Sequence, residues 1–226
     1  MTTPWYKTAR ECVSIRKNVL RADMCVLIDD DTAFANQNFL SSTIKSILTS
    51  AIIKGLDIVG ILTDKNPIVG LKAQKMAIEQ QMDIVVIPGQ TYVCAGKELV
   101  YVYKLTKALP PNLTIDKVCE FTHKNNGFVI AANVSKRQAE TLEKLQGSAY
   151  APDAVEIFNA KIGGYRNLDI DYFKFVSSGA TSANDLENTN VFTLVERKDA
   201  VHMNLLGEET GIDYVPKYLK PKNGVV

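Results

Sequence analysis

Short polar segments that follow apolar runs contain most of the side chains in this sequence that could do chemistry. Three adjacent carboxylates, Asp29–Asp31, follow the first such run, and a single lysine, Lys65, follows the second. Carboxylate oxygens can bind Mg²⁺, although three in one loop are more typical of a solvated turn. The segments that share this position are 29–32, 63–66, 88–91, 131–133, 156–159 and 177–182. If they converge, they predict a polar, hydroxyl-rich cleft.

Common catalytic and metal-binding signatures are absent from the sequence. There is no G-x-S-x-G motif, no P-loop and no G-x-G-x-x-G after the first apolar run. The four cysteines have no C-x-x-C spacing, which excludes a zinc ribbon or finger. We expect Cys25 to be a packing residue within a strand. The two histidines, His123 and His202, are predicted to lie at a helix end or in solvent.

Eight apolar runs have the length and the content of Val, Ile and aromatic residues that strands require. They span residues 24–28, 57–62, 83–87, 99–103, 127–132, 154–158, 173–177 and 191–195. Helical spacing of apolar residues from Ile44 to Ile52, ahead of Gly55, predicts a helix. Ser135 predicts the start of another helix, through a capping box, and Thr114 predicts the start of a helix that ends before residue 127. Strands that alternate with helices predict a mainly parallel α/β sheet with its functional loops at the carboxyl ends of the strands.

The composition is that of one globular domain. The chain has 226 residues, 46% of them apolar, with 26 basic and 25 acidic side chains and a mean hydropathy of −0.04. Wholesale disorder is excluded, and no apolar run approaches the roughly 20 residues of a membrane span. We predict a basic N-terminal segment at 1–21, one domain at 22–205 and a C-terminal tail at 206–226. Because no apolar signal core opens the sequence, we expect an intracellular, cytoplasmic protein.

Six motifs, taken together, resemble the PHP (polymerase and histidinol phosphatase) superfamily. They read ADMCVLI, GLDIVGILTDKN, VIPGQT, NNGFVIAANV, DAVEIFN and SGATSANDL, in the order and spacing of that superfamily, over about residues 22–187. The family equivalents read roughly A-D-L-H-x-H-T, G-L-D-x-I-A-I-T-D-H-N, V-I-P-G-x-E, G-G-x-A-I-A-A-H-P, x-I-E-V-Y-N and G-S-D-A-H-S-x-x-D-L. The resemblance implies an α/β fold, an irregular (β/α)7 TIM-like barrel, and an ancestral activity of metal-dependent phosphoester hydrolysis.

The positions at which the family has metal ligands carry other residues in this sequence. Cys25 and Leu27 replace the two histidines of the first motif, and the acid that follows falls on Thr32 or, with a one-residue shift, on Asp31. The other ligand positions are occupied by Lys65, Thr91, Asn133, Gly179 and Thr181. The resemblance therefore implies a degenerate pocket with no metal and no other cofactor, since most of these side chains cannot bind divalent cations.

Part of the pocket still matches the family pattern. Asp64 and Asn159 stand at matching scaffold positions, as do Asp23 and Glu156. An ammonium at the position of a metal ligand repels a cation and supplies positive charge itself. We therefore expect Lys65 to pair with a nearby carboxylate.

These observations predict a catalytically inactive PHP-like barrel that acts as a binding or accessory scaffold, in the setting of nucleic-acid metabolism. A protein partner or a second copy would dock on apolar residues such as Trp5-Tyr6 or Tyr214-Val215. Nucleic acid would bind weakly through the basic termini, and no membrane is involved. The basic side chains of the termini are Lys7, Arg10, Arg16, Lys17, Arg21, Lys217, Lys220 and Lys222.

One alternative is a Mg²⁺-dependent phosphatase of the haloacid-dehalogenase type. VLIDDDT resembles its D-x-D-x-T signature, with Asp29 as nucleophile and Asp31 as general acid, and GILTDK would offer Thr63 to bind phosphate. The late G-D-x-x-x-D acid pair of that class is absent. The alternative accounts for two motifs, whereas the PHP resemblance accounts for six.

Overall fold

Eight strands form one curved sheet that closes into a nearly complete barrel, with helices outside it. The computed structural model of the protein describes residues 18–29, 37–203 and 205–206. Within these ranges the strands are β1 (Val19–Leu27), β2 (Ile58–Thr63), β3 (Val85–Val93), β4 (Leu99–Tyr103), β5 (Phe128–Ala132), β6 (Ala154–Asn159), β7 (Phe173–Ser177) and β8 (Thr193–Glu196). The helices are α1 (Gln37–Ile53), α2 (Ile68–Glu79), α3 (Ile115–Lys124), α4 (Lys136–Leu145), α5 (Ala183–Asn188) and α6 (Arg197–His202). The predicted α/β fold is confirmed.

Six of the eight strands run in the same direction. The strand order is β7-β6-β5-β4-β3-β2-β1-β8, and only β4 and β8 are antiparallel to their neighbours. The carboxyl ends of the six parallel strands therefore meet at one mouth of the barrel, as the sequence predicted.

A hairpin between β3 and β4 departs from the alternation of strands and helices. The turn closes where the Cys94 amide donates to the Glu98 carbonyl at 2.8 Å. This connection is too short for a parallel crossover, so β4 returns antiparallel. The expectation that residues 88–91 form a loop after the third strand is wrong, because they lie inside β3. A Cβ at Gly89 would come within 2.6 Å of the Tyr103 ring, so this glycine serves close packing rather than a turn.

Contacts between the two ends of the sheet close the barrel. The carboxyl half of β1 meets the segment after β7, where the Leu27 amide donates to the Ala180 carbonyl at 2.8 Å. The amino half of β1 pairs with β8 instead. The hydroxyl of Thr193 in β8 then bonds both backbone groups of Val176 in β7, at 2.8 and 3.0 Å. Strand β8 thus fills the gap between β1 and β7.

Alternating side chains of the strands fill the barrel interior. Tyr103, Phe128 and Phe175 are fully buried there, with ring centroids 6.2 and 6.3 Å apart along the row. The opposite faces of the strands pack against the helices in two further apolar clusters. Burial on both faces explains why the strands read as continuous apolar runs.

The helix predictions are largely confirmed. Helix α1 buries most of the predicted apolar stripe and ends at Ile53, two residues before Gly55, whose φ is +74°. Ser135 and Gln138 form the predicted capping box of α4. Thr114 is the N-cap residue of α3, but its hydroxyl makes no capping bond. At the end of α3 it is Asn126 that adopts a positive φ, of 56°.

His123 occupies the predicted position at the end of a helix. Its Nε2 lies 3.0 Å from the Asp153 carboxylate and its Nδ1 lies 2.9 Å from the Ala149 carbonyl. Burial disfavours the imidazolium, but the hydrogen bond and charge of Asp153 outweigh it, so the pKa of His123 is raised. His123 thus connects α3 to the segment before β6, which is a structural role. Within the described residues, no helix is both long and apolar enough to cross a membrane.

The packing of Gly60 in β2 gives a test of the barrel interior. A Cβ at this position would lie 2.7 Å from the Met24 carbonyl oxygen and 2.9 Å from the Tyr103 ring. We expect Gly60→Ala to lower the free energy of unfolding by about 2–3 kcal/mol, because the backbone of β1 cannot move away without breaking its pairing. Urea denaturation measures the change.

The matched control for that substitution is Gly163→Ala. A Cβ there meets nothing within 4 Å, and only the φ of +72° is unfavourable. We expect a loss of about 1 kcal/mol. Equal losses for the two variants would contradict the packing argument.

Candidate functional site

An open cavity of about 690 Å³ lies at the mouth of the barrel, where the carboxyl ends of the parallel strands meet. The polar side chains of its lining belong to Asp64, Thr91, Asn112, Asn159 and Lys161, and Gly179 also lines it. Its other lining residues are Leu27, Tyr92, Val93, Leu99, Tyr101, Pro111 and Ile162. The walls are therefore mainly apolar and aromatic, whereas the sequence predicted a hydroxyl-rich cleft.

A buried carboxylate, Glu156, lies behind the lining residues Tyr101 and Asn159 and accepts three hydrogen bonds. The Ser177 hydroxyl donates at 2.7 Å and the Asn159 amide at 3.1 Å, both to Oε1, while the Tyr101 hydroxyl donates to Oε2 at 3.1 Å. Burial raises the pKa of Glu156, and these donors oppose the shift. Three donors from β4, β6 and β7 thus satisfy both carboxylate oxygens.

Cys25 is part of the same buried network. It is fully inaccessible to solvent, and the Asn159 amide donates to its sulfur at 3.6 Å. Burial, reinforced by the charge of Glu156, raises the pKa of the thiol far above its usual range. Because nucleophilic attack needs an accessible thiolate, the buried Cys25 thiol is a poor nucleophile and serves packing, as the sequence predicted.

A second buried carboxylate, Asp23, lies where β1 meets the segment after β7. Its Oδ1 accepts the amides of Cys25 and Ser178, each at 3.2 Å. Its Oδ2 is buried and has no hydrogen-bond partner among the described residues. Burial raises the pKa of Asp23 to about 6, against the opposing hydrogen bonds from Ser178 and Cys25. The carboxylate joins the closing strands through their backbone.

Five of the residues assigned to the degenerate pocket come together at the mouth. They are Leu27, Asp64, Thr91, Asn159 and Gly179. Thr91 donates its hydroxyl to Asp64 at 2.8 Å. Gly179 has a φ of +64°, and a Cβ there would lie 2.2 Å from the Asn159 side-chain oxygen. A side chain at this position would therefore displace the asparagine that supports Glu156.

The other assigned residues lie elsewhere. Asn133 accepts a hydrogen bond from Arg166 at 2.7 Å. Thr181 donates to Asp185 at 2.7 Å and lines a separate cavity beside α1. Lys65 is exposed and does not line the mouth, and its expected pairing with a carboxylate stays a prediction. Asp31 and Thr32 lie outside the described residues.

The haloacid-dehalogenase alternative gains nothing from the described geometry. Asp29 is exposed at the end of β1, and Asp31 lies outside the described residues. The Thr63 hydroxyl donates to the Asn66 carbonyl within its own turn. This alternative stays a prediction.

Sequence reasoning missed the two tyrosines of the mouth, Tyr92 and Tyr101. The alternation in LVYVY places Tyr101 on the interior face, one step from the carboxyl end of the barrel, but only if the run is known to return antiparallel. Tyr92 lies in the extension of β3 that was expected to be a loop. The unrecognised hairpin thus hid one wall of the cavity.

Comparisons with known proteins identify the fold. No protein-family model and no curated protein match the sequence. Two solved structures are similar to it. One is a two-domain protein from Bacteroides vulgatus that contains a predicted PHP-like metal-dependent phosphoesterase, with 11% identity and a TM-score of 0.52 over 75% of this chain. The other, from Bifidobacterium adolescentis and assigned as a metal-dependent phosphoesterase, has 10% identity and a TM-score of 0.53 over 84% of this chain.

This chain has the PHP-type barrel fold. The match spans 54% of the Bacteroides protein and 97% of the Bifidobacterium protein. The fold and the six sequence motifs thus agree.

The described residues of this PHP-type barrel do not fit a metal centre. In the described ranges, no group of three or more His, Cys, Asp or Glu side chains is placed to hold a metal ion. The side chains of Leu27 and Gly179 offer no donor atom, and both oxygens of Glu156 already accept hydrogen bonds. The polar groups at the strand ends instead bond to one another.

The role of Glu156 can be tested by Glu156→Gln. The new amide nitrogen would face hydroxyl and amide donors in a buried site, so at least one hydrogen bond is lost and one donor is left unpaired. We expect the free energy of unfolding to fall by about 2–4 kcal/mol, measured by urea denaturation. The control Glu140→Gln, on the exposed face of α4, should stay within about 0.5 kcal/mol of the native chain. A similarly small effect at Glu156 would show that its hydrogen bonds contribute little.

The pKa of Asp23 predicts a pH dependence of stability. An unfolded aspartic acid ionises near 3.8, whereas folded Asp23 keeps its proton to about pH 6. Between these two pH values the native state holds a proton that the unfolded state has lost. Raising the pH from 4 to above 6 therefore lowers the free energy of unfolding. We expect the free energy of unfolding of the native chain to fall by an amount on the order of 2–3 kcal/mol between pH 4 and pH 7.5, and we expect Asp23→Asn to lack this decrease. Urea denaturation across this range measures it, and an unchanged slope in the variant would contradict the assignment.

Proposed function

We propose that this chain is a PHP-type barrel that acts as a binding scaffold and does not hydrolyse phosphoesters through a metal centre. The proposal is carried by the network around Glu156. Hydrolysis in a metal-dependent phosphoesterase needs an ion that activates water and neutralises the phosphate. In this barrel the buried carboxylate beside the mouth, Glu156, already accepts hydrogen bonds from Tyr101, Asn159 and Ser177 on both of its oxygens.

The replaced side chains support the same proposal. Leu27 and Thr91 line the mouth at positions where the resemblance implies a histidine and a glutamate. The mouth nevertheless persists as an open cavity of about 690 Å³. A barrel that keeps its opening without the donors for metal is suited to binding rather than to hydrolysis.

The partner surface is part of the proposal. Exposed Val19 and Leu194, on the paired strands β1 and β8, offer apolar contacts for a protein or a second copy. The basic termini proposed to bind nucleic acid lie outside the described residues, apart from Arg21. The Arg21 guanidinium stacks over the Phe192 ring, 5.0 Å from its centroid, so it is partly committed to the fold. We favour the protein scaffold, in an accessory role within nucleic-acid metabolism.

The experiment combines metal analysis with a hydrolysis assay on the full chain. We expect no stoichiometric Zn, Mn or Fe by elemental analysis, and no turnover of 4-nitrophenyl phosphate or its bis ester above buffer with Mn²⁺, Zn²⁺ or Mg²⁺. Two or more bound transition ions per chain, together with metal-dependent turnover, would overturn the proposal. Mg²⁺-dependent turnover abolished by Asp29→Asn would favour the haloacid-dehalogenase alternative instead.

The partner is tested on the same sample. Light scattering reports self-association, and titration of labelled single-stranded and duplex oligonucleotides at two salt concentrations reports nucleic-acid binding. Salt-sensitive binding without sequence preference would favour the basic termini, since each phosphate contact makes affinity fall with salt. A stable dimer with no oligonucleotide binding supports the protein scaffold.

A further inference from the structure

The aromatic walls of the barrel mouth are held rigidly in place. The Tyr92 hydroxyl donates to the Pro110 carbonyl at 2.7 Å and accepts the Leu113 amide at 2.8 Å. The Tyr101 hydroxyl donates to Glu156. Because both hydroxyls are bonded to the protein, neither ring needs to be ordered on binding. The partly exposed Tyr92 ring presents apolar and π surface to the cavity, whereas Tyr101 is only 2% exposed and lies behind this wall.

The cavity also carries an acidic group that the protein leaves half satisfied. One oxygen of Asp64 accepts the Thr91 hydroxyl at 2.8 Å, and the other has no partner among the described residues. Asp64 is exposed at the rim, so it can meet a ligand without a large desolvation cost. A carboxylate in this state attracts a cation or a strong hydrogen-bond donor.

The basic residue of the described lining is paired with a carboxylate. Lys161 is the basic residue of the lining, and its ammonium is 3.3 Å from the Asp185 carboxylate. Asp185 is held as an anion by the Thr181 hydroxyl and amide, at 2.7 and 3.1 Å, so the pair stays neutral overall. Lys65 is exposed and outside the lining. Asp64, Lys161 and the Asp185 carboxylate next to the lining therefore carry a net charge of −1 together.

A free amide completes the set of groups that could recognise a ligand. Asn112 has a φ of +61° and is exposed, and its side chain makes no hydrogen bond within the described residues. It lines the same cavity as Asp64 and the tyrosines. Its side-chain oxygen can accept a second donor from a bound ligand.

We propose that the barrel mouth binds a small aromatic cation, with its ring against Tyr92 and its charged nitrogen at the Asp64 carboxylate. This inference rests on the proposed function, because a metal-dependent site for phosphoesters would require the opposite charge preference. The aromatic face of Tyr92 attracts the cation and its ring, and Asp64 gives direction to its N–H groups. A phosphate or carboxylate ligand meets the same acid, and it would have to compete with Asp185 for the Lys161 ammonium.

Three ligands of nearly equal shape and different charge test the preference. Benzamidine is a cation, benzamide is neutral and benzoate is an anion, and inorganic phosphate serves as a fourth probe. We expect benzamidine to bind with a dissociation constant on the order of millimolar, benzamide more weakly and the two anions not at all. A heteronuclear NMR titration of the full chain measures affinity and shows whether the shifted resonances belong to the mouth.

Matched variants locate the charge. Asp64→Asn should weaken benzamidine about three- to tenfold and leave benzamide nearly unchanged. The control Asp171→Asn makes the same charge change at an exposed position before β7, at the opposite end of the barrel, and should have no effect. Val93→Lys, at a rim position that is 64% exposed, should weaken benzamidine by adding a like charge.

The outcomes separate the inference from the proposed function. Binding of benzoate or phosphate as tight as that of benzamidine, or benzamidine binding insensitive to Asp64→Asn, would overturn the inference. Absence of binding by all four probes would also overturn it, yet would leave the proposed function standing if the hydrolysis assay is negative. Metal-dependent turnover would remove the proposed function itself.

Discussion

The buried carboxylate of Glu156 is the contact on which the architecture of the barrel mouth depends. A charge in the interior is costly unless hydrogen bonds compensate it, and here they come from Tyr101, Asn159 and Ser177. Asn159 then uses its oxygen to accept the Lys161 amide at 3.1 Å, which shapes the turn after β6. Gly179 must lack a side chain to leave room for it. One carboxylate thus links the ends of β6 and β7 to the middle of β4 and to the turn that faces the cavity.

The same network explains how a PHP-type barrel can stand without a metal. Acidic groups at converging strand ends repel one another unless a cation or hydrogen-bond donors lie between them. Hydroxyl, amide and backbone donors perform this task around Glu156 and Asp23, and burial keeps the Cys25 thiol protonated. The interior is therefore stabilised by neutral donors. The residues that line the cavity do not have to bind a metal and can differ from those of a metal centre.

The sequence predicted the strands and the parallel mouth well, because continuous Val and Ile runs are a direct consequence of burial on both faces of the sheet. It failed at residues 88–91, where Pro88-Gly89 resembled a turn. Tertiary packing requires the glycine at this position, because the Tyr103 ring occupies the space that a Cβ at Gly89 would need. The hydrogen bonds of Glu156 could not be predicted from the sequence either, because their donors are 3, 21 and 55 residues away from Glu156 along the chain. Only the closed barrel brings them together.

The closure of the barrel by β1 and β8 has a consequence for its synthesis and folding. Ala22 pairs with Thr193, and Val26 pairs with Ala180. Strand β1 therefore cannot complete its pairing until residues 180–193 have been synthesised. Until then the buried faces of β1, including Asp23, are without their final partners on one side. Contacts so distant along the chain slow folding, because the intervening loop must be ordered first. A growing chain released early, or cut before β8, would expose an unpaired edge of β1, which is a site for pairing with other chains.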